Sequence, residues 1–143
     1  MIRTDTYRVT VTRRQTLTVG DEPDHLLILT ELDGKPVSQK VGAAGEFVSR
    51  RSVGYHDSLR GSGRMEGYAV EIFQEGTIFS RFIGFRDADT KTTSGTWEYY
   101  KGTGKLTTIR GQGTFKVENT EKAEEYLLNV EGEYVLLAVD IEE

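Results

Sequence analysis

Residues 64–86 read RMEGYAVEIFQEGTIFSRFIGFR, and this stretch decides the fold. Apolar and polar residues alternate on both sides of Glu75-Gly76, which is the pattern of two half-buried strands. Glycine adopts positive φ easily, so Glu75-Gly76 is predicted to be the two-residue loop of an antiparallel hairpin, with Gln74 opposite Thr77. One face of this hairpin then carries Glu66, Tyr68, Val70, Ile72, Phe79, Arg81, Ile83 and Phe85.

That face is predicted to point into the core, because it is apolar except at Glu66, Tyr68 and Arg81. The opposite face is smaller and more mixed, with Gly67, Ala69, Glu71, Phe73, Ile78, Ser80, Phe82 and Gly84. Arg81 becomes an inward charge in this arrangement, and a desolvated guanidinium needs an acidic residue, water or an anionic ligand. Arg81 is therefore either a member of a structural ion pair or the anchor of a ligand, and the sequence leaves both alternatives open.

The strand after this hairpin follows a turn at residues 87–90. An even loop would turn Glu98 and Tyr100 inward, whereas an odd loop would turn Trp97 and Tyr99 inward. Packing favours the odd loop, because the one tryptophan of the chain needs cover and Glu98 is better left in water. The candidate lumenal ligand site is therefore Arg81, Glu66, Tyr68, Trp97 and Tyr99. The alternative is that these side chains merely fill the interior.

Short alternating stretches recur along the rest of the chain. The other predicted strands are 5–19, 25–32, 36–41, 46–55, 92–101, 106–118 and 126–139, with a polar break at Arg13 and Arg14 in the first. Further turn signals are Asp33-Gly34 and Gly102-Thr103-Gly104. The one helical candidate is 119–128 (NTEKAEEYLL). We predict an all-β fold, a closed antiparallel barrel of about eight strands with at most one short helix.

Composition restricts the function classes. The 143 residues suit one domain spanning 1–143, and the absence of cysteine excludes disulfides and thiolate chemistry. The net charge of -5 disfavours nucleic acid as a partner. The charged first residues and the lack of a long apolar run predict neither a signal peptide nor a membrane span. A cytoplasmic protein without a membrane partner is expected.

Metal and cofactor signals are weak in this sequence. His25 and His56 are the only histidines, so a three-histidine site is excluded and no metal is expected. The run Gly61-Ser62-Gly63 leads into a strand pattern rather than a helix, and Leu106 follows Lys105 where a P-loop requires Ser or Thr. We therefore predict no cofactor.

Five glycine-containing motifs carry a resemblance to a known family. They include Gly61-Ser62-Gly63, Gly67-Tyr68, Gly95-Thr96-Trp97, Gly102-Thr103-Gly104-Lys105 and Gly111-Gln112-Gly113-Thr114-Phe115. This succession, over about residues 45–118, resembles the allene oxide cyclase and dirigent-like calycin barrels. The resemblance implies an oligomeric barrel of about eight strands whose lumen accepts one apolar molecule. It assigns no catalytic residue.

Three functions compete at this point. The first is a cofactor-independent cyclase or isomerase that orients an apolar, fatty-acid-like or polyketide-like substrate in the lumen. The second is a carrier or sensor of a small apolar acid, held through a charged anchor. The third is a filled structural barrel that acts through oligomerisation. Because residues 26–29 are apolar on both strand faces, a homodimer or homotrimer is expected.

Overall fold

Eight antiparallel strands close into a barrel in the structure, a computed structural model that describes residues 1–39 and 41–137. The strands are β1 (Ile2–Thr18), β2 (His25–Ser38), β3 (Phe47–Leu59), β4 (Gly63–Phe73), β5 (Gly76–Asp87), β6 (Thr92–Gly102), β7 (Ile109–Asn119) and β8 (Glu125–Leu136). Each strand pairs with the next, and β8 pairs with β1. A single 3₁₀ turn, Gly104–Leu106, precedes β7. The predicted closed barrel of about eight strands with at most one short helix is confirmed.

The predicted separate strands 25–32 and 36–41 are wrong, because β2 runs unbroken through Asp33-Gly34. A side chain at Gly34 would have its Cβ 3.3 Å from Val9 and 3.2 Å from Arg50, which flank it on β1 and β3. This glycine therefore makes room inside a strand instead of forming a turn. Residue 40, in the second predicted strand, lies outside the described residues.

The predicted helix 119–128 is also wrong. Residues 120–124 form the turn between β7 and β8, where Glu124 has a φ of 65° and the Thr120 hydroxyl accepts a hydrogen bond from the Lys122 amide at 3.1 Å. Strand β8 then begins at Glu125 and pairs on both sides, with β7 and with β1. Closing the barrel through these two ladders outweighs the weak local helix preference. Residues 138 and 139 of the last predicted strand lie outside the described residues.

The hairpin of residues 64–86 has the predicted division of its residues between two faces, but the pairing differs by two residues. Phe73 pairs with Gly76 and Tyr68 with Arg81, so the loop is Gln74-Glu75. The face chosen for the interior is the wrong one. The face that carries Glu71 and Phe82 points into the barrel, and the face that carries Arg81 points outward.

Glycines on the inner face explain this reversal. A Cβ at Gly67 would lie 2.7 Å from the Phe82 ring, and one at Gly132 would lie 2.6 Å from the Trp97 ring. Similar close approaches join Gly84 to Phe115 and Gly111 to Tyr99. Each aromatic ring therefore occupies the space that a glycine leaves empty on the adjacent strand or on the next strand but one. The face with the smaller residues is the inner one because its glycines make room for these rings.

One end of the barrel is filled and the other is not. The filled end, called the floor here, is packed with buried side chains: Tyr7, Phe73, Ile78, Tyr99, Leu106 and Ile109. The opposite end, the mouth, is formed by the turns that follow β1, β3, β5 and β7. In the described part of the chain, no helix has the length and hydropathy of a membrane span.

Candidate functional site in the barrel lumen

A buried ionic network lies on the floor of the lumen. The Arg3 guanidinium donates to Asp5 at 2.7 Å, to both oxygens of Glu71 at 2.7 and 3.1 Å, and to the hydroxyls of Tyr7 and Tyr99. These five contacts use all five N–H groups of the Arg3 guanidinium. The side chain of Glu71 is only 2% exposed and also accepts a bond from the Tyr7 hydroxyl. The floor is therefore a saturated structural network.

Protonation on the floor follows from burial and charge. Burial acts to raise the pKa of Glu71, but the charges of Arg3 and Arg50 and the donated hydrogen bonds outweigh it and hold that pKa below its usual value. Burial raises the pKa of Tyr7 and of Tyr99, so both phenols stay protonated. Glu71 is consequently a carboxylate that partners Arg3.

Above the floor lies a cavity of about 380 Å³. Strands β1, β2, β7 and β8 give it an apolar wall of Val9, Val11, Ile28, Leu32, Phe115, Val117, Leu128 and Val130. Strands β3, β5 and β6 give it a polar wall of Arg50, Ser52, His56, Ser58, Ser80, Arg86 and Thr93. The cavity reaches the mouth at Gly61, in the turn after β3. Its volume falls within the range of about 300 to 1,000 Å³ typical of ligand pockets.

Arg50 is the second guanidinium in the lumen, and it is not saturated. Its Nε atom is buried without a hydrogen-bond partner, and no ion pair to Arg50 forms within the described part of the chain. The guanidinium lies 5.4 Å from the centre of the Tyr7 ring. Burial lowers its pKa, and the charge of Glu71 opposes that effect. Arg50 thus presents a desolvated cation to the cavity, which is costly unless something pairs with it.

His56 and Arg86 lie on the same polar wall, nearer the mouth. His56 is 8% exposed, and its Nε2 atom is buried without a partner among the described residues. Burial, followed by the charge of Arg86, lowers the pKa of His56, so the imidazole is neutral at pH 7. Arg86 donates to Thr93 at 3.4 Å and to Asn119 at 3.1 Å, which leaves three of its N–H groups free of these two contacts.

The other histidine, His25, links two elements at the mouth of the barrel. His25 Nδ1 lies 2.6 Å from Asp21 and Nε2 lies 2.6 Å from Asp57, which links the turn after β1 to the end of β3. Carboxylates only accept hydrogen bonds, so an imidazolium suits both contacts. The hydrogen bonds that His25 donates to Asp57 and Asp21 raise the pKa of His25 accordingly.

The structure corrects the lumenal position predicted for Arg81, Glu66 and Tyr68. Arg81 is 53% exposed and pairs with Glu98 at 2.8 Å on the outside of the barrel. Tyr68 is 56% exposed, and Glu66 pairs with Arg64 at 3.1 Å. All three line an outer groove of about 960 Å³. The physical reason is the glycine-aromatic packing that turned the other face of the hairpin inward.

Trp97 and Tyr99 do lie inside, as the odd loop predicted, but for a different reason. Arg81 pairs with Glu98 and Phe82 with Trp97, so Trp97 shares the inner face with Phe82 and not with Arg81. Two wrong predictions compensate for each other. The inner face of the hairpin is the one with Phe82, and the loop 88–91 has an even number of residues instead of an odd one. Trp97 lines the cavity, whereas Tyr99 belongs to the floor network. Their role in ligand binding stays a prediction.

Six inner residues with a charged or titratable side chain were missed from the sequence, namely Arg3, Asp5, Arg50, His56, Glu71 and Arg86. Only two of them had a usable signal. Arg3 and Asp5 have the same parity in β1 as Tyr7, which alternation places inside. Glu71 and Arg50 gave no such signal, because a lone charge on a mixed face normally points to water. Among the described residues, no three histidine or acidic side chains gather into a metal site.

The fold and lumen define a class, the small closed antiparallel β-barrel with an interior cavity. A solved structure of a pyocyanin demethylase has this fold, with a TM-score of 0.53 at 12% identity, covering 91% of this chain and 99% of that one. This likeness supports a small barrel fold and does not single out the allene oxide cyclase family. No family model matches the chain, and no curated protein matches it.

Proposed function

We propose that this barrel binds a small apolar anion in its lumen, with Arg50 as the anchor. The single observation that carries the proposal is the contrast between two inward-facing arginines, of which Arg3 is buried and Arg50 is partly buried. Arg3 has every donor satisfied by its neighbours, whereas Arg50 faces the cavity without an ion-pair partner among the described residues. An anionic head group supplies that partner through charge-assisted hydrogen bonds.

The remainder of the cavity suits the apolar part of such a ligand. Aliphatic and aromatic side chains from β1, β2, β7 and β8 line most of the rest of the cavity, and Arg14 and Thr30 are polar members of the same wall. A hydrocarbon chain or ring placed against this wall gains about 25 cal/mol for each Å² of apolar surface removed from water. The expected ligand is therefore a small carboxylic acid with a hydrocarbon body, held at the floor end by its charge.

The function is a carrier, a sensor or a cofactor-independent enzyme for such a molecule. The likeness to a solved demethylase supports this reading only in that an enzyme shares the fold. The filled structural barrel is disfavoured, because the interior keeps a cavity of about 380 Å³.

Decanoate and decanamide provide a matched test, since they share a hydrocarbon chain and differ in charge. Trp97 is the only tryptophan and lines the cavity, so its fluorescence reports occupancy. We expect decanoate to bind more tightly than decanamide. Arg50→Met should remove that preference and weaken the binding free energy of decanoate by about 1.5 to 3 kcal/mol. Calorimetric titration gives the two affinities independently.

Arg81→Met is the matched control, because it removes an arginine from the outer face that pairs with Glu98. This variant is expected to bind decanoate like the native chain. If Arg50→Met and Arg81→Met bind decanoate equally well, Arg50 is not the anchor. If decanamide binds as tightly as decanoate to the native chain, the ligand is not selected by charge.

A further inference from the structure

We propose that His56 is a general base, and that the barrel catalyses proton transfer at a carbon next to a carbonyl group of its ligand. The inference rests on the lumenal binding proposed above but not on the anion anchor. It would make the protein an isomerase of apolar ketones that needs no cofactor.

The position of His56 carries this inference. Its ring is 8% exposed and lines the cavity, and its Nε2 atom is buried with no hydrogen-bond partner in the described part of the chain. Leaving a buried polar atom unpaired destabilises a fold, so a structural histidine normally has a partner there. The partner must therefore come from a molecule in the cavity, and a ligand bound there can supply it.

The charged and titratable groups around His56 set its protonation state. Arg86 faces it from β5, Asp57 is its neighbour on β3, and Arg14, Arg50 and Tyr126 line the same cavity from β1, β3 and β8. Three of these groups are cations, and burial together with the charge of Arg86 disfavours a further positive charge on the imidazole. His56 is consequently an unprotonated base at neutral pH, and its unshared pair is available when the ring hydrogen is on Nδ1.

The same cations stabilise the anion that proton removal creates. In the proposed step the C–H bond breaks, its proton moves to Nε2 of His56, and its electron pair forms the C=C bond of an enolate. The carbonyl π pair moves to oxygen, where the N–H groups of Arg86 donate to it. Return of the proton from Nε2 to another carbon of a conjugated enolate completes an isomerisation, without any oxidant or reductant.

The test uses 2-tetralone, an apolar ketone without a carboxylate, whose exchange of α-hydrogen for deuterium in D₂O is followed by NMR. The native chain is expected to exchange these hydrogens about a hundredfold faster than His56→Asn, the low end of general-base contributions. Arg86→Met should lower the rate as well. The rate should rise with pH through one ionisation below the ordinary histidine value of about 6.5 and then level off.

Several controls separate a chemical effect from misfolding and from failure of the anion anchor. His25→Asn removes the other histidine and should exchange like the native chain, and His56→Gln should fail like His56→Asn while both keep the native Trp97 fluorescence. Arg81→Met, which removes an arginine from the outer face, should also exchange like the native chain. Because 2-tetralone carries no carboxylate, its exchange rate and the affinity for decanoate are separate measurements, and either proposal can fail while the other stands. Equal rates for the native chain and both His56 variants, or a native rate equal to that of buffer, would overturn the proposal.

Discussion

Glu71 on β4 accepts hydrogen bonds from both terminal nitrogens of Arg3 on β1, at 2.7 and 3.1 Å. Strands β1 and β4 are not neighbours in the barrel, since β2 and β3 lie between them. The pair therefore spans the floor of the lumen and joins strands that no backbone ladder joins directly. Both side chains are buried, so breaking the pair leaves a charge without water or a partner.

Glu71→Gln is expected to destabilise the barrel by about 3 to 5 kcal/mol, because it leaves the buried Arg3 without its main counter-charge. Urea denaturation followed by Trp97 fluorescence measures the loss. The matched control is Glu98→Gln, which breaks the exposed pair with Arg81 and should cost no more than about 1 kcal/mol. Similar losses for the two variants would mean that the floor network does not stabilise the fold.

Low pH should weaken the same ion pair, because it protonates Glu71. The folded-state pKa of Glu71 lies below its usual value of 4.5, so its contribution to stability is present above pH 4.5 and is lost as the pH falls through the folded-state pKa. The stability difference between the native chain and Glu71→Gln should therefore shrink below pH 4.5. Urea midpoints at a series of pH values test this, and a difference that stays constant down to acid unfolding would contradict it.

Alternation and turn signals were enough to predict the architecture. Which residues face the interior could not be predicted in this way, because it depends on contacts between several strands. Which residues of the 64–86 hairpin share a face followed from period two alone. Which face is buried did not, because Gly67 makes room for Phe82, a residue of the adjacent strand. The role of Arg50 depends in the same way on the saturation of Arg3 by residues far away in the chain. Such relationships exist only after the barrel closes.

Glycine-aromatic packing predicts a strong effect at Gly132. A Cβ there would lie 2.6 Å from the Trp97 ring and 2.3 Å from the carbonyl oxygen of Gln112, so the ring and the neighbouring strand must both move. Gly132→Ala is expected to destabilise the fold by about 1 to 3 kcal/mol. Thr96→Ala, at an exposed position of β6, should stay within about 0.5 kcal/mol of the native chain. A native urea midpoint for Gly132→Ala would refute the packing argument.

The two histidines should titrate on opposite sides of the ordinary value. Hydrogen bonds to Asp57 and Asp21 raise the pKa of His25 above 6.5, and burial and Arg86 lower the pKa of His56 below it. The chain contains only these histidines, so NMR of the imidazole protons against pH gives both values, and His25→Asn assigns them. Two coincident titrations near 6.5 would show that neither environment persists in solution.

The signs of the two stability effects also differ. His25 stabilises the fold fully below pH 6.5, and this contribution is lost as the pH rises through its folded-state pKa. His56 is neutral in the fold, so its contribution is present above pH 6.5 and is lost as the pH falls toward its folded-state pKa. His25→Asn should therefore flatten the alkaline side of the stability profile and His56→Asn the acidic side. Thermal melts across pH 5 to about 9 distinguish them.

Self-association is expected through the outer face of β2 to β5. Leu27 and Leu29 are 44% and 48% exposed, and Ile83 and Phe85 extend the same outer surface onto β5. Apolar patches of this kind mark contact sites between proteins, and the ordinary outcome for one chain is a closed symmetric oligomer. Light scattering should thus report a dimer or trimer, and Leu29→Glu should shift it toward 16.1 kDa. Val135→Glu, an exposed change on β8 and outside this face, is the control that should leave the mass unchanged. A native mass of 16.1 kDa over a wide concentration range would show that water, and not a second copy, covers this face.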